Sequence, residues 1–153
     1  LGRFGVKRPA GASDNRAVPR DAGPGADHVM KDATYILVVD DEPDLVSVLR
    51  FGLEVEGYRV LEAGDGEQGL SVAREKHPDL MVLDLMLPKL DGYKVCRALK
   101  FDDRYKHMPI IILSARSGEK DRQLALDMGA DDFVTKPYDM HDLVRRIRAQ
   151  LQR

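Results

Sequence analysis

From Thr34 onward the sequence alternates five times between a short apolar run and a longer stretch with apolar residues at helical spacing. No other feature constrains the fold as strongly. Tyr35–Val39 is a β-branched run, and Pro43 then suits the first turn of a helix carrying Val46, Leu49 and Leu53, with Gly57 ending it. Tyr58–Leu61 reads as a second strand and Gly66–Lys76 as a second helix; Leu80–Leu83 is a wholly apolar third strand, followed by a helix over Tyr93–Leu99. Pro109–Leu113 is the fourth strand, Lys120–Met128 the fourth helix closed by Gly129, and Phe133–Thr135 a short fifth strand. The last helix starts near Asp139 with Leu143, Val144, Ile147 and Leu151 on one face. Strands alternating with helices predict an α/β fold, with a parallel sheet covered on both faces. The unbroken apolarity of LMVL and PIIIL fits strands buried on both sides.

Residues 1–33 break the pattern. They hold 5 of the 13 Gly and 3 of the 8 Pro, with no apolar period, and are expected to form a flexible tail ahead of a single domain over 34–153. Six Lys/Arg against four Asp give that tail a charge of +2, which leaves −4 on the rest of a chain whose net charge is −2. No strong basic bias points to nucleic acid or to an anionic membrane. No apolar run approaches the roughly 18 residues of a membrane span. Cys96 is the one cysteine, so neither an internal disulfide nor a two-cysteine metal motif is available. These features point to a cytoplasmic globular domain.

Open parallel sheets bind ligands outside the carboxyl ends of their strands. Here the first strand runs into Asp40–Asp41–Glu42, the third into Asp84, the fourth into Ser114 and the fifth into Lys136–Pro137. Crowded carboxylates either share protons or hold a hard cation. Oxygen donors without His or Cys favour Mg2+, with Mn2+ as the alternative. A carboxylate beside such a cation can attack phosphorus and become an aspartyl phosphate. The cation and a lysine neutralise the transferring phosphoryl group, and a serine hydroxyl adds a hydrogen bond.

The stretches VVDDEP, LMVLDLMLPKLDG, PIIILSAR and GADDFVTKPY, in this order and spacing, resemble the receiver domain of two-component response regulators. The resemblance covers essentially everything after the tail. It implies a flavodoxin-like, CheY-like doubly wound sheet of five parallel strands in the order 2-1-3-4-5. It implies that Asp84 accepts phosphoryl from a sensor histidine kinase or phosphotransfer protein. Asp41 would hold Mg2+ directly and Asp40 mainly through water, with Asp84 and the backbone carbonyl of Met86 as further ligands. Ser114 and Lys136 would contact the phosphoryl group, Phe133 would be the switch aromatic, and the Lys136–Pro137 bond would be cis.

Met86 and Arg116 match the winged-helix, OmpR/PhoB-like subclass, where these positions screen the phosphoryl group from water. That subclass also implies a homodimer through helix four, strand five and helix five, with Arg122 facing Asp142 and Asp132 facing Arg146 across it. Phe133 departs from the commoner Tyr, and Asp142 from the commoner Glu, a shorter reach that weakens the Arg122 pairing. The expected output is transcription, through a domain that does not follow Arg153 in this chain. The receiver itself is expected neither to bind nucleic acid nor to act as a metabolic enzyme.

Each residue also has an ordinary reading. Acids before Pro43 favour a helix start, Asp84 could be a turn aspartate, Ser114 a strand-end hydroxyl, Lys136 a turn lysine and Phe133 plain core. Their convergence on one edge favours the functional reading. Gly64, Gly66 and Gly69 spell G-x-G-x-x-G, but Asp65 and Glu67 put negative charge where a pyrophosphate would sit, and the motif follows the second strand. The Arg145, Arg146, Arg148 and Arg153 run reads mostly as a solvated helix face, Cys96 as inert packing, and the four His residues as scattered. Two other classes remain: an interaction module that has lost the switch, and a phosphatase with an aspartyl intermediate. Intact Asp41, Asp84 and Lys136 argue against the first. Asp84–Leu85–Met86, lacking the D-x-D acid, argues against the second.

Overall fold

Every apolar run becomes a strand and every periodic stretch a helix in the structure, a computed structural model that describes residues 33–153. The tail expected over 1–33 lies outside the described residues but for Ala33. The elements are β1 (Tyr35–Val39), α1 (Pro43–Val55), β2 (Arg59–Ala63), α2 (Gly66–Lys76), β3 (Leu80–Asp84), α3 (Gly92–Lys100), β4 (Ile110–Ser114), α4 (Glu119–Asp127), β5 (Asp132–Thr135) and α5 (Met140–Leu151). All four strand pairings are parallel, and the order is β2-β1-β3-β4-β5.

Boundaries differ from the sequence reading by a residue or two. The largest shift is at β2, which runs on to Ala63 because its five residues pair one-for-one with Tyr35–Val39 of β1. As an edge strand, β2 buries only Val60 and Ala63 of its five residues, so its apolar signal fades before its ladder does. Pro43 opens α1 as expected, and Gly57 follows it with φ +95°, a left-handed conformation that favours glycine.

Alternate residues of each strand serve opposite layers. Leu37, Val39, Met81, Leu83, Ile110 and Ile112 pack with Ala73, Val95, Leu99 and Ala125, so α2, α3 and α4 cover one face. Ile36, Val38, Val82, Ile111 and Leu113 pack with Leu49, Leu53, Leu143 and Ile147, so α1 and α5 cover the other. The central strands β3 and β4 are buried at every position, as strands covered on both faces must be. The helices differ in anchoring. Asp65, Asp91 and Asp139 cap α2, α3 and α5 with their side chains, whereas α4 has no side-chain cap and buries only Ala125. No helix among the described residues is long and apolar enough to cross a membrane.

Candidate phosphoryl-acceptor site

The strand order reverses at β1 and β3, whose neighbours leave on opposite sides, and the crevice at such a reversal is where open α/β sheets bind ligands. Asp40 follows β1 directly, with its N–H still bonded to the Ala63 carbonyl at 3.1 Å, so it is held by the sheet. Asp84 is the last residue of β3. Asp40, Asp41 and Asp84 each offer a carboxylate oxygen within 4.8 Å of the others. Asp40 and Asp84 are buried, while Asp41 is exposed at the mouth.

Lys136 reaches in from the end of β5. Its ammonium lies 3.4 Å from Asp84 Oδ2 and 3.5 Å from Asp40 Oδ2. The Lys136 N–H donates to the Ser114 carbonyl at 2.7 Å, and the Lys136–Pro137 peptide is cis. Ser114 is wholly buried, and its Oγ accepts the Arg116 N–H at 2.9 Å. One lysine therefore stands among three carboxylates, and it is not close enough to satisfy them. Asp40 Oδ1 accepts the Glu42 N–H at 3.0 Å, but Asp40 Oδ2 is buried without a hydrogen bond. Lys136 is its charge neighbour only.

A buried carboxylate oxygen with no donor costs free energy, so such an atom calls for a missing partner. Oxygen donors converging on it suit a hard divalent cation, and Asp40, Asp41 and Asp84 fit that role. Burial, with the Asp40 charge adding to it, pushes the Asp84 carboxyl above its usual range despite the opposing Lys136 ammonium.

The chain brings Asp84 to this edge at close quarters. Asp84 Oδ1 accepts the Met86 N–H at 3.3 Å. Gly92 folds back over the turn, where an added Cβ would stand 2.7 Å from the Asp84 carbonyl oxygen, so only glycine fits. The glycine-rich decoy is settled in the same way. The space beside Gly66 is filled by the Leu90 carbonyl, 1.9 Å from where a Cβ would be, and Gly69 packs on Val39. These glycines admit neighbouring chain, not a phosphate.

Phe133 is 3% exposed, turned into the core beside α4. Met86 is exposed, and the Arg116 side chain points to Asp121 at 3.6 Å. The residues assigned to a dimer interface are already paired within the chain. Arg146 binds Asp132 and Asp142, each at 2.8 Å, and Arg122 donates to the Phe133 carbonyl at 3.4 Å. Within the chain, β5 and α5 set Asp132 and Arg146 face to face. Arg122 does not meet Asp142 in the chain, which Arg146 and Arg145 already hold.

Sequence reasoning gave Asp131 no role. Its carboxylate binds Lys100 Nζ and the Ile110 N–H, both at 2.8 Å, at the opposite edge of the sheet. Asp121, which holds Arg116 and accepts the Tyr93 hydroxyl, was missed too. Their partners lie far away in sequence, and no local motif announces them.

Residues 36–148 match the family model described as the response regulator receiver domain. The chain belongs to that family. The receiver is 47% identical over 118 residues to the alkaline phosphatase synthesis transcriptional regulatory protein PhoP of Bacillus subtilis, covering 77% of this chain and 48% of that protein. It is 42% identical over 118 residues to the DNA-binding dual master transcriptional regulator RpaA of Synechocystis, covering 77% of this chain and 49% of that protein. The chain therefore spans about half the length of these relatives. Among solved structures, a putative response regulator from Chloroflexus aurantiacus superposes with a TM-score of 0.77 at 30% identity, covering 80% of this chain and 100% of the other. The receiver domain of the sensor histidine kinase PA1611 from Pseudomonas aeruginosa, solved with magnesium coordinated in its active site cleft, gives 0.74 at 31%, with 80% and 100% covered.

Proposed function

We propose that this receiver takes a phosphoryl group onto Asp84 from a sensor histidine kinase or phosphotransfer protein and, through it, controls a transcriptional output in the cytoplasm. The observation that carries the reading is the orphaned Asp40 Oδ2 beside Asp84 and Lys136, an edge short of positive charge. Asp40, Asp41 and Asp84, with the Met86 carbonyl, would hold Mg2+ (or Mn2+), which supplies charge neutralisation at the transferring phosphoryl oxygens.

The Asp84 carboxylate attacks phosphorus. A new P–O bond forms as the bond to the donor breaks, and the leaving group, the imidazole of a phosphohistidine or the carboxylate of an acyl phosphate, departs with its electron pair. Lys136 and the Ser114 hydroxyl then bind phosphoryl oxygens. Ser114 sits at the head of the β4–α4 loop, and Phe133 packs beside α4, so its pull reaches the poorly anchored α4. The α4–β5–α5 surface, through Arg122, Asp132, Asp142 and Arg146, is where a second copy would dock. The pairs within the chain would have to be exchanged for pairs across the dimer.

Intact mass after acetyl phosphate and Mg2+ tests the acceptor. The parent should gain one PO3H unit and Asp84→Ala none. Uptake by Asp84→Ala, or none by a parent that binds Mg2+, overturns the reading. Turnover of a simple phosphomonoester by the parent would favour a phosphatase instead.

A further inference from the structure

Three elements that border the acceptor edge meet at one carboxylate oxygen. Asp121 Oδ1, in the first turn of α4, lies 3.6 Å from the Arg116 guanidinium. The same oxygen accepts the Tyr93 hydroxyl of α3 at 3.4 Å. The backbone of Arg116 is tied to the site, since its N–H donates to Ser114 Oγ. Its side chain is 55% exposed, while that of Asp121 is only 26% exposed. The Arg116 side chain thus rests on Asp121 of α4, while its backbone is held two residues from Ser114, at the carboxylate-rich edge.

We propose that Asp121, steadied by Tyr93, is a positioning residue that sets the lifetime of the phosphorylated state by competing for Arg116. The proposal rests on the phosphoryl-acceptor reading given above. With the phosphoryl group in place, Arg116 on that group obstructs water, and Arg116 on Asp121 leaves the path open. In the hydrolysis so controlled, a water oxygen attacks phosphorus and the P–O bond to Asp84 breaks. Asp84 leaves as a carboxylate, and the water's proton passes to the released phosphate and solvent. An exposed ion pair is weak, so its removal shifts the competition by about two- to fivefold.

The test phosphorylates the protein with acetyl phosphate and Mg2+, removes the donor, and follows loss of the PO3H unit by intact mass. Asp121→Asn should lengthen the half-life by about two- to fivefold. Arg116→Ala should shorten it, and adding Asp121→Asn to Arg116→Ala should then change nothing. A half-life unmoved by Asp121→Asn, or moved equally in the Arg116→Ala background, overturns the proposal.

A second readout needs no phosphorylation. Burial and the Asp121 charge hold the Tyr93 hydroxyl above its ordinary range, and Arg116 pulls it down. Ultraviolet titration, with Tyr93→Phe subtracted, should therefore show the Tyr93 pKa falling in Asp121→Asn and rising in Arg116→Ala. No shift in either variant overturns the contact itself. A parent that takes up no phosphoryl group overturns the acceptor reading and the lifetime role together, and the titration separates that outcome from a missing contact.

Discussion

The two edges of the sheet hold their buried charges in opposite ways. At the edge where β4 and β5 begin, Lys100 and Asp131 pair at 2.8 Å, each with a side chain 11% exposed. Every strong donor there has a partner. Lys100 also donates to the Met108 carbonyl at 3.1 Å, Asp131 accepts the Ile110 N–H at 2.8 Å, and Arg153 reaches the second Asp131 oxygen at 3.3 Å. At the carboxyl edge, Asp40 and Asp84 are buried near a single lysine that sits 3.4 and 3.5 Å away, and one oxygen has no hydrogen bond. One cluster is complete and fastens α3 to the sheet. The other is left incomplete, and the orphaned oxygen leaves room for the positive charge of a cation. A buried oxygen without a donor costs stability, which the rest of the fold offsets.

The contrast can be broken most forcefully at the complete edge. Asp131→Ala strands the Lys100 ammonium and the Ile110 N–H, and chemical denaturation should show a loss of about 3–5 kcal/mol. A loss under about 1 kcal/mol would mean that the cluster is no better paired than a surface one.

Metal should act only on the other edge. Mg2+ at about a hundredfold its Kd should stabilise the parent by about 2.7 kcal/mol, with Asp41→Asn losing most of that gain and Asp131→Ala keeping it. Equal stabilisation of the parent and Asp41→Asn would place the cation elsewhere.

Smaller still is the α5 surface. Arg146→Ala removes two partly exposed pairs and should cost about 0.5–1 kcal/mol in thermal unfolding. A cost several times larger would show that these pairs lock β5 to α5 and could not be exchanged for pairs across a dimer. The smallest effect concerns Cys96, whose thiol burial pushes up to about 12. It should resist a thiol reagent in the native state and react only on unfolding.

The sequence made the same contrast visible on one side only. Asp40, Asp41, Asp84, Ser114 and Lys136 could be found because each lies at or just past the end of a strand, and parallel strands deliver all such positions to one edge. The helices were legible for the same reason, with Gly66–Lys76 matching to the residue. The complete edge was not legible. Asp131 lies 31 residues from Lys100, and nothing in the spacing says that α3 ends above β5. The contact of Arg146 with Asp132 inside the chain was not legible, since it depends on how α5 lies against β5. Asp121 was hidden for a similar reason, because Tyr93 is 28 residues away on another helix.

The carboxyl edge gives up stability for the charge it must take on. Burial raises the Asp84 pKa, so the folded chain holds that proton more tightly than the unfolded chain does. Stability is therefore lost as pH rises from the ordinary carboxylate range through the folded pKa, and the loss is complete above it. The decisive measurement is calorimetric unfolding of the parent and Asp84→Asn across that range, with and without Mg2+. Without metal at neutral pH, Asp84→Asn should be the more stable by roughly 1–3 kcal/mol. The gap should close in acid, and Mg2+ should narrow it by stabilising the parent alone. An Asp84→Asn variant less stable than the parent at neutral pH without metal would mean that the edge is a satisfied cluster like its counterpart, with no stability given up.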